Sequence, residues 1–324
     1  MHIGITYDLK TDYLNEGLGE EEMAEFDRPD TVDSIEGALN DMGYATDRIG
    51  NLRSLAARLA AGHRWDMVFN IAEGLYGYGR ESAVPALLDS YRIPYTFSDP
   101  MTMGLTLHKG MAKHVMRSLG IPTPDFHLVR DPGDLDGFSL PFPVFAKPVA
   151  EGTSKGIDGS SRIQSMGQLR HRCGHLLTRY RQPVLVETYL PGREFTVGVV
   201  AEGYRPSRTM VLEITYRDPS HGGIYCYETK EYCENLVDYL PASGEIAGRC
   251  VDLAIRTWNG FGLRDAARID LRLDGDGNPN VLEVNPLPGL NPEHSDLPIM
   301  WTKEGLPYGQ LISEITGSCL GRNP

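Results

Sequence analysis

The sequence lacks the features that mark membrane-spanning, secreted and nucleic-acid-binding chains. No apolar run among its 324 residues approaches the ~18 residues that a membrane span needs. The N-terminus turns polar too early for a secretory signal peptide. Its 31 Lys+Arg are outnumbered by 44 Asp+Glu, so the formal net charge is −13, which argues against nucleic acid as the main partner. We therefore expect a cytoplasmic protein with neither membrane nor nucleic acid as its partner.

Cysteine is scarce, and its spacing carries no metal or disulfide signal. The five cysteines are an odd number and include no C-x-x-C pair, which argues against a disulfide framework or a structural zinc site. Two of them lie near His221, so a metal site there is the alternative to free thiols in a reducing compartment. The cysteines are Cys173, Cys226, Cys233, Cys250 and Cys319.

Both common phosphate-binding motifs are also missing. There is no G-x-x-x-x-G-K-[ST] segment, and the glycines around residue 77 do not form G-x-G-x-x-G. Instead Lys147 ends a predicted strand over 142–147, and a loop of glycine and hydroxyl residues follows at 152–156. Small residues let backbone N–H groups approach phosphate oxygens. Taken alone, this segment predicts either a phosphate cradle or a plain turn.

The composition is that of a globular protein, with 41% hydrophobic and 23% charged residues, and the length suggests two or three domains. The first third alternates predicted strands and helices, which favours a parallel α/β sheet. A single helix is predicted over 107–119, with Leu107, Met111, Val115 and Leu119 on its apolar stripe. The predicted strands of the first third are 2–7 and 67–71, and its helices are 31–42, 52–61 and 82–90.

Strict alternation of polar and apolar residues predicts a β-hairpin near the C-terminus. In strand 267–273, Arg268, Asp270 and Arg272 share one face and the aliphatic residues share the other. A D-G-D-G-N-P turn follows at 274–279. In strand 280–285, Glu283 and Asn285 occupy one side, and we expect Leu282 and Val284 on the other, core-facing side.

The register of this hairpin decides its chemistry. Pairing Leu273 with Asn280 across the turn places Arg268 opposite Asn285, and Asp270 opposite Glu283. Opposed residues in an antiparallel pair have Cβ atoms roughly 4.5–5.5 Å apart. Two facing carboxylates need a cation between them, and oxygen-only ligands suit Mg²⁺ held jointly with substrate phosphates. A solvated hairpin face of mixed charge is the alternative.

The order of these motifs resembles the ATP-grasp superfamily and, within it, the D-alanine–D-alanine ligases. Residues 147–156 are similar to the family pattern Lys-Pro-x-x-x-Gly-Ser-Ser-x-Gly, while Arg-x-Asp and Glu-x-Asn-x-x-Pro-Gly are matched at 268–270 and 283–289. The resemblance extends from residue 3 to about 315. It implies an α/β ATP-grasp fold: an N-terminal parallel α/β domain (1–105) plus two α+β domains (106–190 and 191–324) that clasp ATP.

The resemblance also implies roles for individual residues of this sequence. ATP and two Mg²⁺ ions, with Mn²⁺ as a substitute, would be the cofactors. Small amino acids would be the substrates, and a homodimer would fit the family. The nucleotide-binding set would be Lys109 and Lys147 at the phosphates, Thr153 in the loop over them, Glu187 and Leu190 at the adenine, Glu194 at the ribose, and Lys230. The metal ligands would be Asp270, Glu283 and Asn285. The catalytic set would be Arg268 and the Gly289 N–H at the oxyanion, together with Ser154 and Glu25.

The sequence departs from the family where the amino acids would bind. An acidic segment, 20–27, stands in place of the family's N-terminal Gly-Gly and Glu-x-x-Val-Ser motifs, and the family's His-Gly…Gly-Glu-Asp-Gly segment is replaced over 70–81. We expect Glu25 to bind the amine of the first substrate, with Glu73, Glu81 and Asp27 as alternatives, because a buried ammonium needs a carboxylate partner.

Three functions follow from this sequence. The first is an ATP-dependent ligase of the D-alanine–D-alanine type, which activates a carboxylate as an acyl phosphate for attack by an amine. The second keeps this chemistry for another carboxylate and amine pair, and the third is a nucleotide-binding protein without catalysis. An acyl phosphate hydrolyses in open water, so residues 218–232 are expected to close as a lid that carries Lys230.

Overall fold

The computed structural model describes residues 1–14, 17–216 and 237–322, and within them twelve strands form three sheets. The predicted lid at 218–232, with Lys230, and the cysteines near His221 lie outside the described residues. None of the described helices is long and apolar enough to cross a membrane.

The first sheet is parallel, as the alternation of strands and helices predicted. Its strand order is β2-β1-β3, and β1 and β3 are almost continuously apolar because helices cover both faces. The polar sequence A-T-D-R-I-G of the edge strand β2 gave no strand signal. The elements are β1 (His2–Thr6), α1 (Lys10–Tyr13), α2 (Pro29–Asp41), β2 (Ala45–Gly50), α3 (Leu52–Ala60), β3 (Met67–Asn70) and α4 (Ala83–Tyr91).

The helix predicted over 107–119 is confirmed as α6 (Lys109–Ser118). A preceding helix, α5 (Pro100–Leu107), meets it at His108, whose ring accepts a hydrogen bond from the Met111 backbone N–H. The predicted apolar stripe is wrong, because Met111 is 48% exposed. The buried face of α6 instead carries Lys109, Lys113 and Met116. Hydrophobic periodicity missed this face because two of its buried residues are lysines.

The second sheet is antiparallel, with strand order β4-β7-β5-β6, and helix α7 packs on it. The pairing of β5 with β7 sets Phe145 opposite Glu187 and Lys147 opposite Leu185. Lys147 and Glu187 are therefore diagonal neighbours. The elements are β4 (Phe126–Val129), β5 (Val144–Pro148), β6 (Arg162–Ile163), α7 (Met166–Tyr180) and β7 (Val184–Thr188).

The third sheet has five antiparallel strands in the order β10-β9-β8-β11-β12. Helix α8 covers one face with Leu253 and Trp258 against Val197 and Ile269. In β11, buried aliphatic residues alternate with partly exposed Arg268, as predicted. The elements are β8 (Glu194–Glu202), β9 (Arg205–Tyr216), β10 (Val237–Pro241), α8 (Gly244–Phe261), β11 (Ala266–Leu273) and β12 (Pro279–Asn285).

The last two helices, α9 (Asp296–Lys303) and α10 (Tyr308–Gly321), pack against the N-terminal elements of the chain. Trp301 and Ile312 share a hydrophobic cluster with Ile3 of β1 and Val32 of α2. The first and last parts of the chain therefore stabilise each other. The domain boundaries near residues 105 and 190 stay a prediction.

Candidate active site

A cavity of about 310 Å³ opens where the three sheets meet, and it collects nearly all the predicted site residues. Thirteen of the fourteen line it, and the fourteenth, Lys230, lies outside the described residues. The thirteen are Glu25, Lys109, Lys147, Thr153, Ser154, Glu187, Leu190, Glu194, Arg268, Asp270, Glu283, Asn285 and Gly289.

The hairpin of β11 and β12 places Arg268 opposite Asn285, and Asp270 opposite Glu283, as the sequence predicted. The pairing of Leu273 with Asn280, from which that register was deduced, is wrong. Leu273 lies opposite Pro279, and an irregularity between Asp270 and Leu271 takes up the one-residue difference. A β-bulge of this kind is common beside active sites because it re-aims a side chain.

The bulge changes which side chain of β12 faces the cavity. Leu282 lines the cavity beside Glu283, whereas Val281 lies in the core of the third sheet, and Val284 belongs to that core while also reaching the cavity wall. The prediction that Leu282 faces the core is therefore wrong. Strict alternation cannot reveal a bulge, because the extra residue interrupts the two-residue period.

A polar network holds the hairpin side chains in place. The Arg268 guanidinium donates from Nε and a terminal nitrogen to the two Asp270 oxygens at 3.0 and 3.1 Å, and it pairs with Asp296 at 2.9 Å. Asp270 also accepts from the Thr196 hydroxyl at 2.8 Å and from the Asn285 amide at 3.0 Å. Sequence reasoning missed Thr196 and Asp296, since only the pairing of β8 with β11 and the start of α9 bring them here.

The hairpin supplies oxygen donors that a divalent cation could use. The side chains of Asp270 and Glu283 are 20% and 26% exposed, so both remain accessible from the cavity. Among the described residues no group of three or more Asp, Glu, His or Cys could hold a metal ion. Two carboxylates and an amide oxygen are nevertheless suited to Mg²⁺, which is usually bound by one or two carboxylates plus substrate phosphates.

Three buried lysines stand near this hairpin. The Lys109 ammonium lies 2.9 Å from Glu283 and donates to the Glu151 carbonyl at 2.5 Å. Lys147 and Lys113 each lie 2.9 Å from a different oxygen of Glu187. Burial alone would raise the pKa of Glu187, but Lys113 and Lys147 outweigh it and lower that pKa to about 2.

Lys113 is a site component that the sequence analysis missed. Its ammonium donates to the Thr123 hydroxyl at 2.7 Å, and that hydroxyl donates to the Val281 carbonyl of β12 at 2.8 Å. Burial lowers the Lys113 pKa to about 8, against the attraction of Glu187. The available signal was its position one helical turn after Lys109, which places both lysines on one face of α6.

The glycine and hydroxyl loop adopts an uncommon turn. Thr153 and Ser154 have φ values of 48° and 56°, and the Lys155 backbone N–H donates to the Gly152 carbonyl at 3.0 Å. Two successive left-handed residues characterise a type I′ turn, in which glycine or asparagine is the usual choice. Such strained backbone clusters at ligand-binding sites.

Glu25 anchors this loop from the opposite side. Its carboxylate pairs with Arg80 at 2.8 Å and with Lys155 at 3.3 Å, and it accepts from the Gly152 backbone N–H at 2.5 Å. A Cβ atom at Gly152 would lie 2.9 Å from a Glu25 oxygen, so this approach requires glycine. Burial opposes ionisation of Glu25, but Arg80 and then Lys155 lower its pKa to about 2. Its charge is thus already neutralised within the protein.

The other acids at this end of the cavity are in the opposite state. Burial, followed by repulsion from Glu81, raises the pKa of Glu73 well above its ordinary value. Burial raises the pKa of Glu81 to about 7 despite Arg80, and burial with repulsion from Asp8 raises the Asp27 pKa to about 7. All three line the cavity. Burial and mutual repulsion of these carboxylates therefore favour the binding of a cation beside them.

The opposite end of the cavity is lined by β7 and its continuation. The Tyr189 ring lies between two guanidinium groups, with Arg162 at 4.4 Å and Arg272 at 5.4 Å from its centroid. Arg272 also donates to Glu194 at 3.1 Å, and Leu190 is only 7% exposed. This end combines a flat apolar wall with fixed polar groups, as ligand pockets commonly do.

Gly289 lies where the chain passes closely by Ser295. A Cβ atom at Gly289 would come within 2.7 Å of the Ser295 hydroxyl oxygen, which already accepts from the Asn291 backbone N–H at 3.0 Å. Beyond it, the Leu290 carbonyl accepts from the Tyr308 hydroxyl at 2.9 Å. The segment after β12 is thus fixed on both sides.

Comparisons with known proteins agree with this geometry. The family model described as "D-ala D-ala ligase C-terminus" matches residues 115–316. A D-alanine–D-alanine ligase of Aquifex aeolicus is 31% identical over 287 residues, covering 88% of this chain and 93% of that protein. A Sinorhizobium fredii protein of the same name is 32% identical, covering 87% and 90%. Among solved structures, the D-alanine–D-alanine ligase of Bacillus anthracis superposes with a TM-score of 0.76 at 21% identity, covering 99% of this chain and 97% of that one.

Proposed function

Because the chain belongs to the D-alanine–D-alanine ligase family, we propose that its cavity uses MgATP to join two amino acids through an acyl phosphate. The reaction is that of an ATP-dependent ligase that forms a C–N bond. The observation that carries the proposal is the hairpin set of Arg268, Asp270, Glu283 and Asn285, which shares one cavity with the buried Lys109 and Lys147.

The nucleotide would occupy the cavity from Tyr189 to the hairpin. We assign the phosphates to Lys109, Lys147 and the type I′ turn at 152–156, because buried ammonium groups and closely approaching N–H groups suit oxyanions. Leu190 and the β7 end would receive the adenine, and Glu194 the ribose. Lys113 would act indirectly, by sharing the charge of Glu187 with Lys147.

Asp270, Glu283 and Asn285 would hold two Mg²⁺ ions together with the phosphates, with Mn²⁺ as a substitute. The metal would neutralise the charge of the transferring phosphoryl group. Lys109 now occupies one oxygen of Glu283, and binding of the phosphates would attract that ammonium and free the carboxylate. An oxygen-only donor set excludes the thiol and imidazole chemistry that zinc prefers.

In the first step, an oxygen of the substrate carboxylate attacks the γ-phosphorus as the bond to ADP breaks. In the second, the amine of another amino acid attacks the acyl carbon, and phosphate departs as the amine loses a proton. Arg268, held between Asp270 and Asp296, and the Gly289 N–H would stabilise the oxyanion of the tetrahedral intermediate. A group fixed before the reaction avoids reorganisation in the transition state.

The homodimer and the cytoplasmic location stay predictions.

The test is release of phosphate from ATP in the presence of single and paired D- and L-amino acids, with dipeptide detected by mass spectrometry. Glu283→Gln should lower kcat by about a thousandfold or more, because loss of metal binding costs several kcal/mol of transition-state stabilisation. The control is Glu202→Gln, an exposed glutamate at the end of β8. Both variants should keep the wild-type melting temperature within about 2 °C. Normal turnover by Glu283→Gln at ordinary Mg²⁺ would contradict the assignment.

A further inference from the structure

Glu25, Glu73 and Glu81 line one end of the cavity, which we call the amine end. Two of these carboxylates, Glu73 and Glu81, have no ion-pair partner in the described part of the chain. Among the described residues, Glu73 and Glu81 take part in no ion pair and accept no side-chain hydrogen bond, although both line the cavity. Glu81 is only 9% exposed, so water does not solvate its charge freely. A buried carboxylate is expected to find a cation or a proton.

The protein's own cations near this end are already engaged. Arg80 pairs with Glu25 and donates to the Ala150 carbonyl at 2.9 Å. Lys155 pairs with Glu25 and Glu151, and Lys109 pairs with Glu283. Among the described residues these three cations therefore pair with Glu25, Glu151 and Glu283, and none of them pairs with Glu73 or Glu81.

We propose that the first substrate is a diamino acid, whose two ammonium groups are bound by Glu81 and Glu73. The inference rests on the proposed ligase function and adds the chemical class of its carboxylate substrate. Two ammonium groups supply one cation to each of these two carboxylates. An amino acid with a neutral side chain leaves the half-buried Glu73 without a cation.

The positions of the two glutamates give the substrate a direction. Glu81 has the Lys109–Glu283 pair among its electrostatic neighbours, and Glu73 has Asp27 among its own. The acidic wall thus runs from the phosphate-transfer end of the cavity toward Asp27. A carboxylate delivered near Lys109 puts its α-ammonium at Glu81, and the side-chain ammonium then reaches Glu73. Glu25, which is neutralised by Arg80 and Lys155, acts as a positioning residue for the 152–156 loop.

The first test is equilibrium binding to the wild-type protein, measured by calorimetry with Mg²⁺ and a non-hydrolysable ATP analogue. The matched probes are 2,3-diaminopropionate and serine, which differ by an amine against a hydroxyl, each as both enantiomers. One enantiomer of diaminopropionate should bind about tenfold or more tightly than the corresponding serine, as a buried charge pair predicts. Equal or tighter binding of serine for both enantiomers would overturn the proposal.

The second test assigns the preference to its residues. In Glu73→Gln the diaminopropionate preference should fall to about parity, while the affinity for the ATP analogue stays within about twofold. Glu304→Gln, at an exposed position after α9, is the matched control and should keep the full preference. A preference that persists in Glu73→Gln would overturn the assignment. Absence of amino-acid-dependent phosphate release would contradict the ligase function itself, which these binding measurements do not require.

Discussion

Glu187 and Glu81 are both buried glutamates on the wall of one cavity, and the protein treats them in opposite ways. Glu187 lies between Lys113 and Lys147, which lower its pKa to about 2 against the effect of burial. Glu81 has no such partner in the described part of the chain, and burial raises its pKa to about 7. The charge of Glu187 is therefore compensated before any ligand arrives, whereas that of Glu81 is not.

This difference distinguishes a buried charge that supports the fold from a buried charge that is retained for binding a ligand. A compensated group such as Glu187 is expected to support the fold, because its removal leaves two buried ammonium groups unpaired. An uncompensated group such as Glu81 lowers the stability of the unliganded protein and is retained where it binds a ligand, which is the usual conflict between stability and activity. Substitutions at the two positions should therefore have opposite effects on stability.

The largest effect should come from Glu187→Gln. Removing one member of a buried ion pair typically costs about 3–5 kcal/mol, and here two lysines lose their partner. The measurement is the free energy of unfolding from denaturant titration at pH 7. Asp136→Asn is the control, because Asp136 and its partner Arg170 have side chains 77% and 50% exposed, and surface pairs contribute about 0–1 kcal/mol. Equal unfolding midpoints for the two variants would mean that Glu187 supports the fold no more than a surface carboxylate does.

Glu81→Gln should change the free energy of unfolding in the opposite direction, raising it by an amount that depends on pH. The Glu81 pKa is raised from 4.5 to about 7 in the folded protein, so between these values the folded state binds more protons than the unfolded state. Stability contributed by this group is thus present below pH 4.5 and is lost as the pH rises through 7, by up to about 3 kcal/mol. The glutamine side chain of the variant does not titrate, so the variant should gain on the wild type with rising pH.

The difference in unfolding free energy between Glu81→Gln and wild type, measured from pH 5 to pH 8, tests this expectation. A difference that stays flat across the range would mean that Glu81 is ionised at no cost. Glu187, whose pKa is lowered, should show its titration only below pH 4.5, where the stability it contributes is lost as the pH falls. Glu187 therefore titrates in acid, whereas Glu81 titrates near neutrality, because its pKa is raised to about 7.

The comparisons confirm the family, the α/β fold and the reaction class predicted from the sequence. These could be predicted because each depends on local sequence patterns. Alternation in β11 located Arg268 and Asp270, and the motif around Glu283 located the partner strand. The roles assigned to individual residues stay predictions. The structure adds that the predicted residues share one cavity, which no local pattern could establish.

What the sequence could not give depends on contacts between distant segments. Lys113 lies on a face of α6 outside the predicted apolar stripe, and although its spacing from Lys109 placed the two lysines together, its burial depends on the distant Glu187. The pairing of Glu25 with Arg80 joins the segments 20–27 and 70–81, which the sequence already placed together at the amino-acid pocket, but no local pattern identified these two residues as partners. The role of Glu25 at a substrate amine stays a prediction.

The smallest expected effect concerns Thr196, which supports the proposed metal ligand Asp270. Its hydroxyl is fully buried and donates to Asp270 at 2.8 Å from the facing strand β8. Thr196→Val keeps the shape and removes the donor, while Arg268 and Asn285 still hold the carboxylate. We expect the Mg²⁺ concentration for half-maximal activity to rise about tenfold, because partners behind a metal ligand commonly contribute that much to affinity. The unfolding free energy should change by about 1 kcal/mol. Thr209→Val, on β9 and away from the cavity, is the matched control. An unchanged Mg²⁺ dependence in Thr196→Val would mean that Arg268 and Asn285 of the hairpin alone hold Asp270 in place, without a contribution from β8.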